Sequence, residues 1–138
     1  MKQVAKLIIC DRDNKYLLLY RSNHPSFPYD PDLPGGTVED NEEPSHAVIR
    51  ELSEETGISL GAAALEKLYE SASYNNGYVY HLYRTQLNNH PSISISWEHS
   101  RYEWLSLDTF TARIYTALDR YMNMAHDYLS QNSSRSLG

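Results

Sequence analysis

Three glutamates, Glu51, Glu54 and Glu55, recur just behind Arg50 at spacings that put them on one side of a helix. With about 100° per residue and Ala47 at zero, Glu51 falls near 40°, Glu54 near 340° and Glu55 near 80°. Val48, Leu52 and Ile49 fall between roughly 100° and 200°, so the acidic patch borders the buried stripe of the helix. Like charges three and four residues apart each destabilise a helix by roughly 0.2–0.5 kcal/mol, and partial burial adds to that. A divalent cation removes the repulsion, because magnesium takes hard carboxylate oxygens. Arg50, four residues before Glu54, can pair with it along the helix and fix its rotamer. On the helix alone, a solvated acidic face is the more usual account of such charges.

The surrounding residues narrow the choice. Gly36 is followed by five residues, then Glu42, then seven residues, then Arg50-Glu51-Leu52-Ser53-Glu54-Glu55-Thr56-Gly57-Ile58. Chance agreement with so many specified positions is on the order of one in ten million for a chain of this size. The segment Gly36 to Ile58 resembles the complete Nudix box with no departure, and Leu33-Pro34-Gly35-Gly36 resembles the usual approach to it. The resemblance implies an α/β fold, a single-domain α/β/α sandwich around a mixed β-sheet, with the box as a loop–helix–loop. It also implies water attack on phosphorus, with magnesium as cofactor or manganese in its place. Carried over by position, the metal ligands are the Gly36 carbonyl, Glu51, Glu54 and Glu55. One of these three glutamates also activates the water, with Glu54 and Glu51 the leading candidates, and Arg50 orients a ligand carboxylate. Gly35, Glu42 and Gly57 serve the shape of the motif. Such chemistry is physically coherent, since cations neutralise phosphate charge and acidify a bound water.

Other residues extend the candidate site. The family often adds an acidic ligand from a later loop; Glu98, ahead of a predicted strand, is placed for that, while Glu103, between Tyr102 and Trp104, is expected to face solvent. Arg21, ending a predicted strand, is a candidate for phosphate or base binding. Tyr74 stands near where dinucleoside polyphosphate hydrolases of this family carry a tyrosine. The proline that marks ADP-ribose hydrolases of the family is absent from Ser71-Ala72-Ser73-Tyr74. Tyr78, Tyr80, Tyr83, Trp97 and Trp104 are candidates for a base-stacking wall.

The elements that must position these groups can be read from patterning. Val4 to Cys10 and Tyr16 to Tyr20 are apolar runs around the polar turn Asp11 to Lys15 and predict a hairpin. That turn is not a calcium loop, since Tyr16 stands where such a loop needs glycine. Pro25, Pro28, Pro31 and Pro34 argue against a regular element from Ser22 to Pro34, a length suited to covering a site. Glu43 to Thr56 reads as a helix, with Pro44 in its first turn and Gly57 at its end. Leu65 to Ser73 and Gly77 to Leu87 flank the hairpin signal Asn76-Gly77. Ile93 and Ile95 predict a short strand, and Tyr102 to Leu105 another. Ile114, Leu118, Tyr121, Met122, Ala125 and Leu129 predict one final amphipathic helix.

A chain of 138 residues with 41% hydrophobic and 22% charged residues suits a single domain, here expected over residues 1–130, with a disordered polar tail at 131–138. The net charge of −6 opposes a nucleic-acid polymer as partner. The lone Cys10 permits no internal disulfide. The first apolar run is too short for a signal or a membrane span, so a cytoplasmic location is expected. The expected function is magnesium-dependent hydrolysis of a nucleoside triphosphate, an oxidised one included, to monophosphate and diphosphate. Hydrolysis of dinucleoside polyphosphates or nucleotide sugars is the alternative within enzymes, and a non-catalytic nucleotide sensor the alternative outside them. The partner is a small nucleotide, and homodimers are common in the family.

Overall fold

The computed structural model describes residues 2–72, 77–119 and 121–137. Its centre is β1 (Lys2–Cys10), which runs parallel to β6 (Tyr78–Gln86) over its whole length, from Lys2↔Tyr78 to Cys10↔Gln86. A parallel pair is buried on both faces, which is why β1 reads as an almost unbroken apolar run. β5 (Glu66–Ala72) adds antiparallel to β6. After the Asp11 turn, β2 (Lys15–Arg21) meets β1 at Cys10↔Tyr16 and pairs for its length with β7 (His99–Ser106).

The predicted hairpin is thus splayed. Two short strands lie on the inner edges it opens: β3 (Pro31–Asp32) pairs with β2, and β4 (Gly35–Thr37) pairs with β1. The turn between them is fixed by Leu7 N–H donating to the Pro34 carbonyl at 2.9 Å. Prolines tolerate short edge pairing of this kind, so the proline-rich stretch carries a little sheet at its end.

Period-two alternation sorts the central strands into two cores. Leu7, Ile9, Leu17 and Leu19 face Val48 and Leu52 of α1 (Pro44–Thr56), while Ile8, Leu18 and Tyr20 face Phe110, Ile114, Met122 and Ala125 on the opposite side. The result is helix, mixed sheet, helices: the α/β/α sandwich.

Two further sequence expectations change. Ile114 to Leu129 is not one helix but two, α2 (Leu107–Tyr115) and α3 (Tyr121–Leu137). Between them the Asp30 carboxylate accepts from Leu118 N–H at 2.9 Å and Asp119 N–H at 3.3 Å, capturing amides a continuous helix would use internally. Ile93 and Ile95 form no strand; Ser94 and Ser96 amides instead donate to the Thr56 and Glu55 carbonyls, capping the end of α1. Helix α3 is described as far as Leu137. The Asn76 turn lies outside the described residues. Among those described, no helix is long and apolar enough to cross a membrane.

Gly35 is a point of close approach: its φ is 131°, and a Cβ there would lie 2.1 Å from the Ala5 carbonyl oxygen. Gly35→Ala is expected to cost more than about 2 kcal/mol, through clash and backbone strain together. Gly61→Ala, where a Cβ meets nothing within 4 Å, serves as the control and should stay within about 0.5 kcal/mol. Chemical denaturation of the two variants checks the pair, and equal stabilities would contradict the packing described.

Candidate functional site

Where β1 and β2 splay, a cavity of about 920 Å³ opens, bordered by Lys6, Arg21, Asp32, Gly35, Gly36, Glu51, Glu55, Glu98 and His99 among others. Its floor is organised by Asp32, which the β2–β3 pairing holds in the sheet almost fully buried. Lys6 Nζ donates to Asp32 Oδ1 at 2.9 Å, and Arg21 Nη2 to the same oxygen at 3.3 Å. The Tyr121 hydroxyl donates to Asp32 and accepts from Leu33 N–H at 2.8 Å. His99 Nε2 lies 2.9 Å from Asp32 Oδ2. An ionised carboxylate only accepts, so the imidazole presents its Nε2–H.

Burial alone would push the Asp32 carboxyl up, but Lys6, the His99 hydrogen bond and Arg21 outweigh it and hold the carboxyl well below the usual carboxylate range. A bulge in the β2–β7 ladder, where Tyr20 pairs with Arg101 but Arg21 with His99, turns His99 inward while Arg101 stays exposed. Arg21 reaches a second carboxylate, Asp119, at 2.8 Å.

The box assembles against this floor. Gly57, left-handed at φ 78°, ends α1 and returns its N–H to the Ser53 carbonyl. Arg50 grips the loop by donating to Glu42 through both Nε (2.9 Å) and Nη2 (3.1 Å), and to the Thr37 carbonyl at 3.2 Å. Glu42 in turn accepts from Glu39 N–H, so it braces the loop. Arg50 Nη1 donates to Glu51 at 2.9 Å and reaches Glu54 at 3.5 Å. Of the two helix glutamates that Arg50 reaches, Glu51 is therefore the nearer partner and Glu54 the longer contact.

Glu51 lies directly over Gly36, where a Cβ would stand 2.8 Å from its carboxyl carbon. A larger residue there would push the Glu51 carboxylate from this position. Burial raises the Glu51 carboxyl above its ordinary value, against the pull of Arg50, and the charges of Glu54 and Glu98 push it further. Glu55 is buried and accepts from Gly35 N–H at 2.8 Å. Burial pushes its carboxyl up to about 8, against the opposing effects of Lys6 and the Gly35 amide.

The structure thus brings Arg21, Gly35, Gly36, Glu51, Glu55 and Glu98 to one cavity and leaves Glu54 outside its lining, with a side chain 54% exposed. Among the described residues, no three acidic, histidine or cysteine side chains stand together at the spacing of a metal's ligand shell. Each carboxylate is committed to a protein partner instead: Glu51 and Glu54 to Arg50, Glu55 to Gly35. The donor chemistry nonetheless fits magnesium. Glu51, Glu55 and Glu98 offer hard oxygens to one space, with a side-chain-free backbone at Gly36 beside them.

Glu103 lies outside the cavity lining, accepting from the Tyr20 hydroxyl at 2.6 Å and from Arg113 at 2.9 Å. Tyr74 lies outside the described residues. Patterning does not single out Lys6, Asp32, His99, Asp119 or Tyr121 as site residues. One signal for them exists: Lys6 interrupts an apolar strand, and a buried lysine requires a carboxylate.

Comparison with known proteins agrees with this architecture. The NUDIX domain family matches residues 1–125, and the chain belongs to the Nudix family. The ADP-ribose pyrophosphatase of Methanocaldococcus jannaschii is 44% identical over 63 residues, covering 46% of this chain and 37% of that protein. The 8-oxo-dGTP diphosphatase of Proteus vulgaris is 37% identical over 62 residues, covering 45% of this chain and 55% of that protein. The matched segments therefore span little more than half of either relative's length at most. The crystal structure of the MutT protein from Methanosarcina mazei Go1 superposes with a TM-score of 0.74 at 23% identity, covering 97% of this chain and 94% of that one. At that identity the likeness is one of fold.

The charged floor gives a prediction about pH. The Asp32 carboxyl is depressed in the folded state, so its contribution is present in full above the unfolded value of about 3.9 and is lost as pH falls below it. Asp32→Asn is expected to cost about 3–5 kcal/mol near neutral pH, because Lys6 and Arg21 lose their shared counter-charge. The variant should also show a flatter acid limb in plots of stability against pH. Urea unfolding between pH 3 and 7 reads both effects; an acid limb as steep as the parent's would contradict the role given to Asp32.

Proposed function

We propose that this chain is a divalent-cation-dependent hydrolase that splits the diphosphate bond of a free nucleotide. The carrying observation is that Glu51, Glu55, Glu98 and the Gly35–Gly36 backbone share one cavity with Lys6 and Arg21. Hard acceptors for a cation thus stand beside fixed positive charge suited to phosphate. The residues that would hold magnesium, or manganese in its place, are the Gly36 carbonyl, Glu51, Glu54, Glu55 and Glu98. A divalent cation bound there neutralises phosphate charge and acidifies water.

The side chains have separate tasks in this reading. Arg50 orients Glu51 through its 2.9 Å bond and ties that carboxylate to the loop through Glu42. Glu54, one turn along α1 and held only by a long 3.5 Å contact with Arg50, can change rotamer and take a proton from the attacking water on a carboxylate oxygen. Glu51 is the second group suited to that transfer. Arg21, fixed between Asp32 and Asp119, offers its positive charge to a phosphate without reorganising.

The preferred substrate is a nucleoside triphosphate, an oxidised one included, cleaved by water to monophosphate and diphosphate; the diphosphatase from Proteus vulgaris supports this reading. The pyrophosphatase from Methanocaldococcus jannaschii supports a second, in which a nucleoside diphosphate joined to a sugar is split. Products separate the two: diphosphate in the first, a sugar phosphate in the second.

The test is product analysis over dGTP, 8-oxo-dGTP, ADP-ribose and a dinucleoside tetraphosphate, with magnesium and with chelator. Hydrolysis in magnesium alone is expected, and none of the four being cleaved would remove the proposal. Glu54→Gln and Glu51→Gln should each lower kcat by roughly a hundredfold or more, with the fold intact by circular dichroism. Near-parent turnover in both would show that neither carboxylate acts in the reaction.

A further inference from the structure

Trp97 presents a solvent-facing indole from a backbone that is pinned at several points. Its residue is 86% exposed, the most of the exposed large hydrophobic residues, and it borders the same cavity as Glu51 and Glu55. Ser22 Oγ donates to the Trp97 carbonyl at 2.7 Å, and Ser22 N–H to the Glu98 carbonyl at 2.9 Å. One residue earlier, Ser96 N–H donates to the Glu55 carbonyl at 3.2 Å. The segment is therefore held to the box helix on one side and to the 22–30 loop on the other.

Leaving a large aromatic ring in water forgoes a substantial burial gain. No ring contact accompanies it among the described residues, whereas Trp104, the other tryptophan, stacks on His90 with ring centroids 4.4 Å apart, away from the cavity. The same cavity mouth carries Phe27 and His24, stacked on each other at 5.5 Å, with the Arg21 guanidinium 5.2 Å from the Phe27 ring. Carboxylates and cations therefore lie inside, while flat apolar faces stand at the opening. That polarity suits a ligand with an anionic end and an aromatic end.

We propose that Trp97 is the platform on which the base of the nucleotide stacks, so that it determines specificity for nucleotides over base-free polyphosphates. The proposal rests on the nucleotide reading above but concerns binding, which is measurable without turnover.

The experiment uses the intrinsic fluorescence of the full chain, whose two tryptophans are Trp97 and Trp104. ADP-ribose and dGTP are titrated in calcium, with inorganic triphosphate, followed by calorimetry, as the base-free control. Both nucleotides should quench the parent and Trp104→Phe, and quenching should vanish in Trp97→Phe while its affinity by calorimetry stays close to the parent's. Trp97→Ala should weaken both nucleotides by about tenfold or more and leave inorganic triphosphate unchanged. Quenching that survives in Trp97→Phe, an equal loss for inorganic triphosphate, or parent-like nucleotide affinity in Trp97→Ala would overturn the platform, as would absence of nucleotide binding to the parent. Base-dependent binding without hydrolysis in magnesium would instead sink the hydrolase reading and leave the platform standing.

Discussion

The site depends on one buried negative charge. Asp32 lies where two central strands part, and Lys6, Arg21, His99 and Tyr121 converge on its two oxygens from β1, β2, β7 and α3. A carboxylate in that position is tolerable only if every oxygen is occupied by donors. Meeting that demand ties α3 by directional bonds to strands that backbone pairing already joins, β1 to β2 and β2 to β7. Hydrophobic contacts would let the helical layer slide over the sheet at little cost, whereas directional bonds to a single buried charge do not.

The box depends on this arrangement from one side. Gly35 and Gly36 follow Asp32 closely in the chain, and their strand is seated against Ala5 and Lys6 by backbone pairing. From there the Gly35 amide reaches Glu55, and the bare Cα of Gly36 admits Glu51. Arg50 works from the other side, drawing the loop at Glu42 and the helix carboxylates into one network. The acidic cluster is thus placed by two anchors, a buried floor and a surface arginine, so the geometry does not rest on side-chain repulsion finding its own balance.

Much of this was legible in the residues, for reasons that differ by element. The helix of the box declares itself because apolar spacing, Pro44 and Gly57 all agree, and the identities at its polar positions are unusual enough to exclude coincidence. β1, β2, β5 and β6 declare themselves by period and composition. What escaped were features decided by tertiary partners. Ile93 and Ile95 alternate like a strand, yet the amides of Ser94 and Ser96 beside them find the end of α1. Ile114 to Leu129 keeps helical spacing across a break, because the residue that breaks it, Asp30, is far away in the chain. The floor was invisible for the same reason: Lys6, Asp32, His99 and Tyr121 belong to separate segments, and no local pattern ties them together.

The Asp30 cap has a wider meaning for how this architecture diversifies. By holding the amides of Leu118 and Asp119, it joins the segment entering β3 to the connector between α2 and α3, and Asp119 passes on to Arg21. One wall of the chamber is therefore a ring closed from both ends of the polypeptide. Insertions or deletions in the connector are transmitted to an arginine nearly a hundred positions upstream, without any change to the box itself. Ligand preference in this scaffold can drift through its C-terminal third while the acidic helix stays constant.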